Sequence, residues 1–320
     1  MIYKIEVNPF DQYYINCYFN ALASIITYYD KSYNVATYMN SYLHTFSHFE
    51  DLYFPYLGNN YEFYHNFEQY FEKINCNFMD KLNYLEEVKH LIRDKTYIFV
   101  GVDLFYWNKY GSVYGIEHLR HRSLIVGYDD SNSTILALED DLGYSMKYYV
   151  HTFTEKELNT AVLSLHNDFQ GNVEYDYTKL KLIKEIEPYI LSLDKVKENA
   201  RSIINNLKTD KFVNFNINGQ DFTKRIIPDE FFRVHTRYSN RFVANKLLFL
   251  ELRKLKLITV DQEEELKNYC DKIIHNVDSV KLILMKHKLT KKPINPGKIE
   301  SKWRLAFIFE SEMWNKLLNY

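Results

Sequence analysis

Hydrophobic periodicity changes character once along this chain, at the polar stretch HNDFQGNVEYD (166–176), and that change limits the fold more than any single motif. Before it the pattern is mixed. The run CYFNALASIITYYD from Cys17 places Tyr18, Leu22, Ile25, Ile26 and Tyr29 on one helical face, and MDKLNYLEEVKHLIRDK (79–95) reads as a second helix. Strand-like segments follow at 96–107, 121–128, 133–140 and 146–153, with Asp129, Asp130, Ser131 and Asn132 forming a turn between two of them. Residues 31–75 are rich in aromatics and show no clear period. Beyond the polar stretch the pattern is helical, near 177–207, 229–256, 261–288 and 298–318, with Pro293, Pro296 and Gly297 separating the last two segments. The expectation is an α+β domain over 1–165, an early helix packed on an antiparallel sheet, followed by a mostly α-helical domain over 177–320.

Composition narrows the function classes. A chain of 320 residues, 46% hydrophobic, is long enough for two ordinary domains with real cores. A formal net charge of −2 supplies no global field for nucleic acid or an anionic membrane, so neither is expected as a partner. Three cysteines, Cys17, Cys76 and Cys270, argue against a disulfide framework and for a reducing compartment. The start MIYKIEVNPF has no apolar signal core, and no long uncharged apolar run follows, so the expectation is a cytoplasmic protein. The 29 tyrosines suit wet pockets, although a compositional bias is the better account of them.

Chemistry concentrates on two residues far apart in sequence. Asn16 is placed to cap a helix whose first turn holds Cys17, and a thiol there is favoured as its anion by the helix dipole. The Cys17 backbone N–H is then available to an oxyanion. A free cysteine on an apolar helix is also commonly an inert, small core residue. In EHLRHRSLIVGYDDSN, His118 and His121 precede an apolar strand, and His121 abuts it, so it is the expected base. The H-x-x-H pair also suggests zinc, but no further His/Cys cluster is near enough in sequence to complete a ligand set, so no metal is expected. The acid that orients the imidazole is expected at the end of the next strand, Asp140 first and Glu139 as its alternate, because a shift of one residue exchanges the faces.

The segment VGVDLFYWNKYGSVYGIEHLRHRSLIVGYDDSN, with Asp103, Phe105, Tyr106, His118, His121, Gly127, Tyr128 and Asp129, resembles the butirosin biosynthesis protein H, N-terminal family, and NCYFNAL resembles that family's nucleophile helix. The likeness covers roughly residues 10–150. It implies a papain-like fold turned from hydrolysis to acyl transfer, with Cys17 as nucleophile, His121 as base and Asp140 as orienting acid. It further implies an acyl donor carried as a phosphopantetheine thioester on an acyl or peptidyl carrier protein, a small-molecule amine acceptor, and no bound cofactor. Papain-like peptidases carry an oxyanion glutamine six residues before the cysteine. Here that position is Asp11, and Gln12 stands five before. Asp103, Tyr106 and His118 are candidate substrate contacts, and Tyr13, Tyr14, Phe105 and Trp107 are candidates for a dry wall. The basic stretch with Lys286, Lys288, Lys291 and Lys292 is a candidate docking face for an acidic carrier, or simply a solvated helix end. A leader-cleaving cysteine peptidase and a non-catalytic binding module are the alternatives.

Overall fold

The computed structural model describes residues 1–13, 15–39, 44–49, 52–57, 61–79, 83–107, 114–140, 148–168, 175–207, 229–292 and 295–320. In chain order the elements are β1 (Ile2–Lys4), α1 (Cys17–Tyr29), α2 (Tyr33–Tyr38), β2 (His44–Phe49), β3 (Leu52–Leu57), α3 (Tyr61–Tyr70), β4 (Phe71–Cys76), α4 (Tyr84–Arg93), β5 (Tyr97–Asp103), β6 (Arg120–Asp129), β7 (Thr134–Asp140), β8 (Tyr148–Thr154), α5 (Glu155–Asp168), β9 (Tyr177–Leu182), α6 (Leu193–Asn206), α7 (Asp229–Lys254), α8 (Val260–Thr290) and α9 (Pro296–Leu318). The chain is α+β, with an antiparallel sheet and a helical C-terminal region.

It divides into two units, one of residues 1–33 and 65–188, the other of residues 34–64 and 189–320. The expected boundary at 165/177 therefore moves to 188/189. The physical reason is β9, which the helical reading of 177–207 absorbed. Its backbone pairs with both β4 and β5, so it belongs to the sheet. Such pairing is set by a strand 75 or more residues away, and local periodicity carries no record of it.

In the first unit the sheet runs β4-β9-β5-β6-β7-β8, with β1 also paired to β6, and all pairings are antiparallel. β5 is buried along its whole length, and β6 is buried from Ser123 onward, matching their nearly continuous apolar runs. The register against β7 shifts between Ile125 and Gly127, a bulge or irregularity, and β1 pairs with Gly127 to Asp129 from the other edge of β6. A side chain at Gly127 would meet the Tyr3 carbonyl at 2.6 Å, so glycine is what lets β1 dock there. α1 packs against β6 and β7, and α5 against β5. Lys89 of α4 reaches Asp130 at 2.9 Å and Glu155 at 2.8 Å, tying α4 to the β6–β7 turn and to the start of α5.

The second unit contains the β2–β3 hairpin and the helices α6 to α9. Leu266, Cys270, Ile273, Val277, Val280 and Leu284 of α8 alternate at four- and three-residue spacing and are all fully buried. Tyr238, Phe242, Phe249 and Leu252 of α7 are buried in the same rhythm, and α8 packs on both α7 and α9. Tyr238 donates a buried hydrogen bond to Glu310 of α9 at 2.6 Å. Asn295 caps α9 by accepting from the Gly297 N–H at 3.0 Å, with proline in the first turn. Among the described residues, no helix is long and apolar enough to cross a membrane.

Candidate functional site

The N-terminus of α1 is built by side-chain hydrogen bonds. The Asn16 side chain accepts from the Phe19 N–H at 2.8 Å, the expected cap, and puts Cys17 at the first helical position. Asn20, one turn on and fully buried, clamps the segment before the cysteine. Its amide donates to the Tyr13 carbonyl at 2.8 Å and accepts from the Ile15 N–H at 3.1 Å. Ser24, another turn on, accepts from the Phe10 N–H at 2.9 Å. Cys17 itself is half-buried. Backbone N–H groups at a helix start lack intrahelical partners, so those of Cys17 and Tyr18 are oriented for an incoming anion.

His121 lies on β6, opposite Val102 of β5, with only 8% of its surface exposed. Its Nε2 meets Glu139 Oε2 at 3.0 Å. Burial works against the charged imidazole, but the charges of Glu139 and of Cys17 outweigh it and hold the His121 pKa well above the ordinary value. Cys17 and His121 line one cavity of about 600 Å³. The sulfur and the imidazole, a hundred residues apart in sequence, thus act on each other at the same site.

The carboxylate on the far side of the imidazole is Glu139, and the expectation that named Asp140 first is corrected. β7 pairs Leu138 with Leu124 of β6; continued by one residue, this register sets Glu139 across from Ser123, on the face that His121 shares, and leaves Asp140 on the other face. Asp140 closes β7 opposite Tyr148. Glu139 is 1% exposed and also accepts from the Trp107 indole N–H at 2.9 Å. Burial pushes its pKa up, yet the imidazolium, with donors around it, pulls it below the ordinary carboxylate value. Trp107 in turn stacks on Phe153, with ring centroids 4.1 Å apart. Its role is to hold the acid, where the sequence suggested only a dry wall.

Other candidates fall elsewhere. Asp103 is fully buried, and its carboxylate meets His118 Nδ1 at 2.6 Å and accepts from Ser164 at 2.7 Å and from the Phe105 N–H at 3.0 Å. It holds the turn after β5 and the His118 ring, which stacks on Phe105. Tyr106 packs edge-on against the same ring. Gln12 is exposed, and Tyr14 lies outside the described residues. Among the described residues, no three His, Cys, Asp or Glu side chains converge as a metal site requires. Cys270 is fully buried, and burial pushes its thiol well above the ordinary pKa, the opposite of an activated cysteine.

The cavity also has walls that the sequence reading did not find. Tyr18, Phe99 and Tyr175 provide aromatic surface, and Lys73, Arg120 and Arg122 provide charge. The two arginines flank His121 in the run RHR, a local signal that was legible. Lys73 of β4 and Tyr175 before β9 arrive only through strand pairing and left no local trace. No protein-family model matches the chain, and no curated protein matches it.

Proposed function

We infer that this protein is a papain-like cysteine acyltransferase that forms an amide in antibiotic or other natural-product assembly. The observation that carries this reading is a half-buried thiol at a helix start sharing one cavity with an imidazole that a buried carboxylate holds. The resemblance of residues 10–150 to the butirosin family points the chemistry toward transfer from a carrier-bound phosphopantetheine thioester to an amine.

In this mechanism His121 takes the Cys17 proton, and the sulfur attacks the thioester carbonyl. The tetrahedral oxyanion sits against the N–H groups at the start of α1. Collapse breaks the C–S bond to pantetheine, which leaves as the thiol after taking the His121 proton. The acyl-Cys17 intermediate is then attacked by the amine. His121 removes the amine proton, the second tetrahedral species collapses, and the amide departs as the Cys17 thiolate is restored. Glu139 keeps the imidazole oriented and its charge balanced throughout.

Mass spectrometry of the intact protein after incubation with acyl-loaded carrier tests this directly. An acyl adduct on the Cys17 peptide, discharged as an amide when an amine is added, is the expected result. Discharge only as free acid indicates a peptidase-type hydrolase. Full turnover by Cys17→Ala defeats both readings.

A further inference from the structure

We propose that the cavity beside Cys17 selects an acyl donor bearing an anionic group, a phosphate or a carboxylate, which Lys73, Arg120 and Arg122 hold. This rests on Cys17 being the residue that receives the acyl group.

The cavity gathers three cations from two strands. Arg120 and Arg122 stand two residues apart on β6, and Lys73 comes from β4. None of the described residues that line it is a carboxylate. Arg122 is anchored from behind, donating to the Asp176 and Tyr175 carbonyls at 2.9 Å each while its guanidinium lies 4.2 Å from the Tyr175 ring centroid. Those carbonyl bonds fix the group without neutralising it. Room for this anchoring comes from Gly101, where a side chain would crowd both the Asp176 carbonyl at 3.1 Å and the guanidinium at 3.2 Å. Burial lowers the Arg122 pKa, and the like charge of Arg120 adds to the effect. Of the carboxylates outside the cavity, Asp176 acts on Arg122 and Glu68 on Tyr18. Asp176 is already engaged by the Phe78 N–H at 2.9 Å. Lys73 stands 5.1 Å from the Tyr18 ring, so it lies beside the residue that follows the nucleophile. A pocket of about 600 Å³ is of ordinary size for a small ligand, and clustered cations inside it raise the local concentration of anions.

The test compares alkylation of Cys17 by iodoacetate and by iodoacetamide. Both reagents form an S–CH₂ bond and release iodide, and they differ in a carboxylate against an amide. The rate ratio of the anionic to the neutral reagent at Cys17 is expected to exceed that of a small neutral cysteine amide by roughly tenfold or more. It should fall in the doubly substituted Lys73→Gln, Arg120→Gln protein and return in Lys73→Arg, Arg120→Lys, which separates charge from folding damage and from the contribution of His121. A ratio no higher than that of the free thiol, or one that the glutamine pair leaves in place, overturns the anion site while leaving the nucleophile standing. Failure of iodoacetamide to prefer Cys17 over Cys76 and Cys270 sinks both readings. Protection of Cys17 by 4′-phosphopantetheine but not by pantetheine assigns the anion to the carrier arm. Protection by glutarate but not by butyramide assigns it to the acyl chain. Protection by neither pair's anionic member overturns the proposal.

Discussion

At the level of single residues, the His121–Glu139 pair makes the sharpest commitments. Because the folded-state pKa of His121 is raised, its contribution to stability is complete below the unfolded value of about 6.5 and is lost as pH rises through the folded value. Glu139, whose folded pKa is lowered, contributes fully above its unfolded value of about 4.3 and loses that contribution as pH falls through the folded one. The pair is therefore at full strength between those two unfolded values. Glu139→Gln should cost about 1.5–3 kcal/mol in that window, judged by the worth of a charged hydrogen bond, and lower activity by about 10²–10⁴. An NMR titration of the His121 ring should show its protonation midpoint moving to lower pH in the variant. An unmoved midpoint means Glu139 does not hold the imidazolium. Cys17 and His121 were legible because each sits at the start of an element whose own period announces it. Choosing between Glu139 and Asp140 needed the β6–β7 register, which one misplaced residue reverses.

At the level of elements, α1 carries more polarity inside than its apolar face suggested. Asn20, Ser24 and Thr27 are fully buried at four- and three-residue spacing, and the first two hold the incoming segment by its backbone. A scale that counts apolar residues misses such a stripe, because a buried polar side chain is acceptable only when its partners are known. The arrangement ties the segment before the cysteine to the body of α1. Asn20→Ala removes a donor and an acceptor at once and strands the Tyr13 carbonyl and the Ile15 N–H. Urea unfolding should show a loss of about 1–3 kcal/mol, accompanied by slower alkylation of Cys17. Wild-type stability in that variant refutes the clamp.

At the level of the whole molecule, the two units differ in how far their making could be read. The helical unit was legible across α7, α8 and α9 because buried residues recur within each helix at its own period. In the sheet unit β5 to β8 were legible from their own residues, but β1, β4 and β9 were not. That β9 joins it follows from pairings between distant segments, and local pattern does not show that residues 34–64 group with the helical unit. Each unit also carries its own thiol reporter. Cys270 lies within the α8 seam with its sulfur 3.5 Å from that of Met313, and it cannot react until that seam opens. Ile273→Ala leaves a void one turn from it and should cost about 2–5 kcal/mol. In a urea series, Cys270 should then become alkylatable at lower denaturant than in the wild type. If its exposure instead tracks the wild-type curve, the seam through Cys270 and Ile273 is not what stabilises the helical unit. Cys17 in the same samples reports the sheet unit separately, so a shift of Cys270 alone means that the two cores unfold as distinct cooperative units.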